Sequence, residues 1–491
     1  MSGTAAADHP AEAGLAGKVM RGLVWRSGSQ IFAQMVTWAA TFLVIRMLAP
    51  GDYGLFAMTQ SVLALFAMLS GASFASALVR NEVLDRGHVR QVFGLLILLN
   101  GGLAAVQFAL APLVADYFRQ PLVADLLRVQ ILLYAANPLL SLGAALLARD
   151  MDFRKQAIAN FCSAIAGAGT ALGGALAGWG VWTLVLAPIA MFWTRAIGLA
   201  FAARLAIRPS FSFKGAGETI GFGLAMIASQ AFWFVQTQAD IFIGGRVYDP
   251  HRLGLYTTAL FLAQILTAKF VPPMNEVAFS AYARLQHDRA GLAFAFARSV
   301  RLVLFVALPF YAGMAITAEP LVLTVLGPHW AEAVPIVRWL ACAMPFVTVQ
   351  ILFAPVTNAL GRPRLAVHGS IAGAIIMPTA FAIAVTVGSG PEAMARAWLF
   401  AFPLLMLVTA AISLPAIGLP VAAFVRAIRP PLLAVAGMIA LLLPVAALLP
   451  PAPPLVRLAL LVAVGVAGYA LSTALFARET IGELLALVRK R

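Results

Sequence analysis

The sequence is poor in charged residues. Asp, Glu, Lys and Arg make up 11% of its 491 residues, less than half of the roughly 25% that soluble domains contain. Hydrophobic residues make up 62%, and the mean hydropathy is +0.92. A soluble domain cannot bury that much apolar surface, so the composition excludes a soluble protein and predicts an integral membrane protein.

Cysteines are almost absent as well. The two that occur, Cys162 and Cys342, fit no metal or redox spacing. Both lie in apolar segments, which predicts that they are core residues. The sequence also lacks a Walker loop, a zinc motif and a nucleophile elbow. We therefore expect no cofactor and no metal.

Long apolar runs fill most of the chain. A helix needs about 20 apolar residues to cross the hydrocarbon layer, and fourteen such runs lie between Leu23 and Phe476. The first, Leu23 to Leu48, is too long for a signal peptide and should stay as a spanning helix. The seventh is Thr219 to Ile243. The sequence thus predicts an all-α protein with about fourteen transmembrane helices.

Basic residues alternate between successive loops. Cytoplasmic loops carry excess Lys and Arg. Every second loop here is basic, beginning with Lys18 and Arg21 and ending with the Arg489-Lys490-Arg491 tail. Both termini are therefore predicted to be cytoplasmic. The net charge of +15 is spread between apolar runs, which favours lipid over nucleic acid as the partner.

The chain contains an internal repeat. Residues 29–56 align without gaps with residues 229–256 and share ten identities in 28 positions. The repeat places the first and seventh spans in equivalent positions, so the two halves have the same orientation. Transporters built from parallel halves hold substrate between them. Convergence of two amphipathic helix ends on similar residues is the alternative that we weigh against duplication.

The repeat divides the chain into four segments. Residues 1–17 form a predicted disordered cytoplasmic tail, and residues 18–214 an N-terminal six-helix bundle. Residues 215–425 form the C-terminal six-helix bundle, and residues 426–491 two additional helices and a cytoplasmic tail. The predicted architecture is two parallel six-helix bundles around a central cavity, with two extra C-terminal helices.

Several segments in order resemble one family. They are Arg46-Met-Leu-Ala-Pro-Gly-Asp-Tyr-Gly-Leu-Phe, Ala77-Leu-Val-Arg, Arg149-Asp-Met-Asp-Phe-Arg-Lys, Ala239-Asp-Ile-Phe-Ile-Gly-Gly-Arg, Leu253-Gly-Leu-Tyr and Leu326-Gly-Pro-His-Trp. Together they resemble the bacterial polysaccharide (O-antigen and exopolysaccharide) flippases of the multidrug/oligosaccharidyl-lipid/polysaccharide exporter superfamily. The resemblance covers about residues 18–370.

The resemblance implies a multi-pass protein of the bacterial inner membrane that works in surface polysaccharide biosynthesis, including lipopolysaccharide and exopolysaccharide. Its cargo would be a polyprenyl-diphosphate-linked oligosaccharide, moved from the cytoplasmic to the periplasmic leaflet. Expected partners are a polysaccharide polymerase, chain-length machinery, and a proton or sodium ion for coupling. The sequence identifies neither the sugar nor the coupling ion.

A diphosphate that crosses hydrocarbon needs cationic partners. The candidates are Lys269, Arg26 and Arg195. Lys269 lies deep in its span and is followed by Pro272 and Pro273, which could bend the helix. The alternative for each is snorkelling, in which the side chain reaches the headgroups. For Arg128 an ion pair with Asp125, three residues earlier, is the stronger interpretation.

Polar side chains concentrate in the two repeated spans. The candidate cavity residues are Gln30 and Gln34 in the first span and Gln230 and Gln236 in the seventh, because a helix facing lipid avoids such groups. Asp240 is the one carboxylate deep inside a span. It is a candidate for ion or proton coupling, with a structural hydrogen-bonding role as the alternative.

Two other functions remain open at this stage. A drug/cation antiporter of the same superfamily would favour buried carboxylates, whereas Arg and Lys outnumber Asp and Glu in the predicted spans. A membrane polysaccharide polymerase or ligase should carry a long periplasmic loop with an acid/base pair, and the predicted loops are short. We therefore expect a transporter and not an enzyme.

Overall fold

The structure is a computed structural model that describes residues 32–69, 86–150, 152–205, 207–211 and 217–476. Within these ranges the chain forms seventeen α-helices and one 3₁₀ helix, and no strand. Contacts divide the chain into two compact units, Met1–Ala228 and Ser229–Arg491. The division falls inside one helix, Gly217–Val247.

The first unit contains seven helices in its described part. They are α1 (Phe32–Met47), α2 (Pro50–Leu69), α3 (Arg86–Phe118), α4 (Leu122–Gln130), α5 (Leu132–Arg149), α6 (Phe153–Leu176) and α7 (Val181–Ala202). The helix α8 (Gly217–Val247) leads into the second unit.

The second unit continues with nine more helices. They are α9 (Pro250–Arg284), α10 (Arg289–Ile316), α11 (Ala318–Val325), α12 (Val334–Ile351), α13 (Phe353–Ala359), α14 (Pro363–Val387), α15 (Pro391–Ile417), α16 (Val421–Leu448) and α17 (Pro454–Phe476). The 3₁₀ helix Pro328–Ala333 joins α11 to α12.

Twelve helical segments in the described ranges are long and apolar enough to cross a membrane. Two of them combine labelled helices: α4 with α5, and the 3₁₀ helix with α12 and α13. Each corresponds to one of the fourteen predicted spans. The other two predicted spans coincide with α1, which the structure describes from Phe32, and with α8. The all-α membrane fold is thus confirmed, while the count of fourteen stays a prediction, as do the segment boundaries.

The helix boundaries repeat at the same offset as the sequence. Helix α1 ends at Met47 and α2 begins at Pro50. In the second copy, α8 ends at Val247 and α9 begins at Pro250. Proline is favoured at the first helical position, where its missing N–H costs no hydrogen bond. The two prolines therefore fix the start of the second helix in each repeat.

Many apolar side chains lie on the outside of the helices. Leu176 is 77% exposed and Phe400 is 74% exposed, for example. Such faces suit lipid and not water. The prediction that Cys162 and Cys342 are core residues is wrong, because both are exposed. In a membrane protein an apolar segment does not imply burial, since its outer face meets hydrocarbon.

Buried polar contacts connect the helices of the first unit. The Tyr134 hydroxyl of α5 donates to the Gln107 carbonyl of α3 at 2.6 Å, and the Asn137 amide donates to Asn100 at 3.0 Å. Hydrogen bonds between spanning helices contribute about 0.6 kcal/mol on average. These hydrogen bonds mainly determine which helix faces pack against each other.

The last two helices are attached to the rest of the second unit. The Tyr469 hydroxyl of α17 donates to the Phe305 carbonyl of α10 at 2.7 Å. Arg457 at the start of α17 lies 3.7 Å from Glu319 of α11. An aromatic cluster joins α10, α13 and α16. The ring centroid of Phe296 lies 5.2 Å from that of Phe353 and 6.4 Å from that of Phe424.

Candidate functional site

Asp240 is the centre of a buried hydrogen-bonding network in the second unit. Its side chain is 1% exposed, and its Oδ2 accepts a hydrogen bond from the Tyr256 hydroxyl at 2.8 Å. That hydroxyl in turn accepts from the Trp398 indole N–H at 2.7 Å. The network therefore joins α8, α9 and α15, with one carboxylate, one phenol and one indole in contact.

Asp240 has no basic partner among the described residues. Its recorded contacts are Tyr256 and the backbone N–H of Ile241, at 2.8 Å. An ionised carboxylate without a cation is costly away from water. A proton or a bound cation would remove this cost. This chemistry fits a group that changes its proton or ion occupancy.

One face of α8 carries the polar groups. Gln236, Asp240 and Gly244 are spaced four residues apart and therefore lie on one side of the helix. Gln236 is 8% exposed and packs against Gly373 of α14, where an added Cβ would collide with its side chain. A Cβ at Gly244 would lie 2.8 Å from the Met394 sulfur of α15. Small residues thus let α8 approach α14 and α15 closely.

A polar cavity of about 140 Å³ lies in the second unit, about one helical turn from Asp240 along α8. Its polar lining comes from four elements: α8, the α12–α13 junction, the beginning of α14 and the end of α15. The lining includes Gln236, Gln350, Thr357, Ser370, Thr409 and Ser413, with Trp233 among the apolar residues. Among the described residues, no ionisable side chain lines it.

The cavity forms where a helix is interrupted. Helix α12 ends at Ile351, and α13 begins at Phe353. Pro355 explains the break, because its ring clashes with the carbonyl four residues earlier, that of Ile351. The interruption positions Gln350 and Thr357 at the cavity from what would otherwise be one continuous span.

The predicted cations are not clustered in this cavity. Lys269 is exposed on α9, a helix that continues through Pro272 and Pro273. Arg195 is partly buried on α7, and its Nε has no hydrogen-bond partner in the described part of the chain. Arg26 lies outside the described residues. The expected ion pair is present, with Arg128 Nη1 3.1 Å from Asp125 Oδ1.

The predicted glutamines differ in their positions. Gln236 lines the cavity, whereas Gln230, nearer the start of α8, is exposed. Gln34 on α1 is partly buried, and Gln30 lies outside the described residues. Their assignment to a transport cavity therefore remains a prediction, with Gln236 as its best placed member.

The sequence pattern did not predict that Tyr256 and Trp398 are partners of Asp240. The repeat contained a signal for one of them. It aligns Asp240 with Ala40, and Tyr256 with Phe56. Both polar residues replace apolar ones, and they appear together in the second copy only. A pair of polar replacements in one copy of a repeat indicates that the two side chains meet.

The chain matches a known protein family. The family model described as "Polysaccharide biosynthesis protein" matches residues 43–335, which is more than half of the chain. The succinoglycan biosynthesis transport protein ExoT of Rhizobium meliloti (strain 1021) is 27% identical over 75% of both chains. The lipopolysaccharide biosynthesis protein WzxC of Escherichia coli (strain K12) is 20% identical over 73% of this chain and 76% of its own.

A solved structure supports the same fold. The lipid II flippase MurJ, in an inward closed conformation, matches with a TM-score of 0.76 and 12% identity. The match covers 93% of this chain and all of that one. At this identity the likeness concerns the fold alone, and it confirms the predicted all-α membrane fold. By the match of its residues 43–335, this multi-pass membrane protein belongs to the polysaccharide biosynthesis protein family.

Proposed function

We propose that this protein is a flippase that moves polyprenyl-diphosphate-linked oligosaccharide repeat units from the cytoplasmic to the periplasmic leaflet of the bacterial inner membrane. The observation that carries the proposal is the combination of the family match with a fold shared over almost the whole chain with a lipid flippase. The repeat units would then supply a polymerase and its chain-length machinery. No covalent chemistry is part of this role.

The cargo requires cations for its diphosphate and polar groups for its sugars. Arg195, Lys269 and Arg26 are each proposed as a cation for the diphosphate. Support comes from the partly buried Arg195, whose Nε lacks a hydrogen-bond partner among the described residues, and from Lys269, which forms no ion pair with any described residue. Arginine suits this task because its planar guanidinium bonds phosphate oxygens in pairs.

Asp240 is proposed to couple transport to a proton or sodium gradient. The buried carboxylate, which has no basic partner among the described residues, supports this role, since a proton or a bound cation would remove the cost of burying its charge. Replacing Asp240 by Asn keeps a hydrogen-bond acceptor for Tyr256 but removes the charge. Export by Asp240→Asn should therefore fall at least tenfold at normal membrane abundance. Wild-type export by this variant would exclude Asp240 from coupling.

A clean deletion of the gene tests the transport role. Lipid-linked repeat units should accumulate on the cytoplasmic leaflet, because synthesis continues while translocation stops. Their location can be measured in spheroplasts by adding an impermeant glycosidase, which should digest the lipid-linked sugars of wild-type cells but not those of the deletion strain. Normal surface polysaccharide in the deletion strain, with no second homologue present, would contradict the proposal.

A further inference from the structure

The cavity lined by Gln236, Gln350, Thr409 and Ser413 contains polar groups that the protein does not use itself. The Thr409 side chain is 6% exposed, and its Oγ1 has no hydrogen-bond partner among the described residues. Gln236, Gln350 and Ser413 likewise form no side-chain hydrogen bond within the described part. Unsatisfied polar groups at membrane depth are costly. Their presence together indicates that something polar occupies the cavity.

The lining suits a neutral occupant. Two amides and two hydroxyls offer both donors and acceptors, whereas no Lys, Arg, His, Asp or Glu of the described residues lines the cavity. A diphosphate would lie there without a counter-charge, which the membrane interior penalises. A neutral molecule with several hydroxyl groups can satisfy all four side chains. The aromatic ring of Trp233, which borders the same cavity, provides an apolar face for its C–H groups.

The size of the cavity limits the occupant further. Its volume of about 140 Å³ is enough for several water molecules or for a single sugar ring. Because the cavity is partly open, the rest of an oligosaccharide would lie outside it. From the neutral lining, the free hydroxyls and the volume, we infer that this cavity binds one neutral monosaccharide unit of the transported glycolipid. This inference rests on the proposed flippase function and identifies the part of the protein that recognises the sugar.

Two variants remove the subsite in different ways. Thr409→Val has nearly the same shape and deletes the hydroxyl that has no protein partner, so it should not lower the stability of the free protein. Gly369→Val fills the cavity. An added Cβ at Gly369 would lie 3.6 Å from Thr409 Oγ1, an ordinary contact, so the backbone tolerates a side chain there. Thr379→Val is the matched control, because that exposed hydroxyl bonds only to the Ile375 carbonyl of its own helix.

The experiment compares two lipids on the purified full-length protein in detergent micelles. The probes are undecaprenyl diphosphate and the same lipid carrying one hexose, tested with glucose and with galactose. Binding is measured by competition against radiolabelled undecaprenyl diphosphate. The wild-type protein and Thr379→Val should bind at least one hexose lipid roughly threefold to tenfold more tightly than the sugar-free lipid. Thr409→Val and Gly369→Val should bind the hexose and sugar-free lipids equally.

The outcomes separate the two proposals. Equal binding of both lipids by the wild-type protein would mean that the cavity holds water only and would overturn the subsite alone. An undiminished preference for the hexose lipid in Thr409→Val and Gly369→Val would overturn it as well. No binding of either lipid would also contradict the proposed flippase function. A lower unfolding temperature of Thr409→Val than of Thr379→Val would show that the hydroxyl is structural, which also contradicts the inference.

Discussion

The hydroxyl of Tyr256 should be one of the most important polar groups for the stability of the second unit. It donates to Asp240 at 2.8 Å and accepts from Trp398 at 2.7 Å, and all three residues are buried. Tyr256→Phe therefore leaves two groups without a partner, a carboxylate oxygen and an indole N–H. Each buried orphan costs about 1–3 kcal/mol, although hydrogen bonds in membrane proteins fall at the lower end of that range. We expect a loss of about 2–4 kcal/mol.

Tyr469→Phe provides the matched control for this change. The Tyr469 hydroxyl donates its one proton to the Phe305 carbonyl of α10, at 2.7 Å. That carbonyl lies inside a helix and has a backbone partner there, so the loss should be only about 0.5–1.5 kcal/mol. Unfolding by SDS in mixed micelles, followed by circular dichroism, gives both values. If Tyr256→Phe destabilises the protein no more than Tyr469→Phe does, the network does not stabilise the fold.

Three further predictions concern charge, helix capping and orientation. If Lys269 binds diphosphate, Lys269→Ala and Lys269→Gln should abolish export at normal abundance, while Lys269→Arg retains part of it. Full export by Lys269→Gln would mean that the Lys269 side chain only reaches the headgroups. Asp152 caps α6 by accepting from the Lys155 N–H at 3.2 Å, so Asp152→Ala should cost about 1 kcal/mol and Asp150→Ala clearly less. A hydrogen bond from Lys155 lowers the pKa of Asp152 below its ordinary 3.8, so the cap is fully effective above that value. The difference in stability between wild type and Asp152→Ala should therefore vanish as the pH falls through the lowered pKa. An alkaline phosphatase fused after Arg491 should be inactive, since the basic loops predict a cytoplasmic C-terminus, and an active fusion would refute the predicted topology.

The fold could be predicted because its signals are local. An apolar run of about 20 residues is enough to identify a spanning helix, and Pro50 and Pro250 fix the same helix start in both repeats. The ion pair of Arg128 with Asp125 was also predictable, since residues three apart share a helix face.

The site was less predictable because its residues are distant in sequence. Trp398 reaches Tyr256 from 142 positions away, and Thr409 joins Gln236 only through the packing of α8, α14 and α15. Neither residue has a local pattern that marks it. The cysteines do have a local pattern, but it led to a wrong prediction. Apolar surroundings indicate burial in a soluble protein, but Cys162 and Cys342 lie on faces that suit lipid.

Lipid translocation by the purified protein tests the central claim most directly. Proteoliposomes would contain the protein, with the lipid-linked repeat units extracted from the deletion strain in both leaflets. An impermeant glycosidase added outside digests the outer pool, and a second addition after an interval measures what has moved outwards. We predict that wild-type protein renews the outer pool, whereas empty liposomes do not. Equal renewal with and without the protein would contradict the assignment of this chain as a flippase.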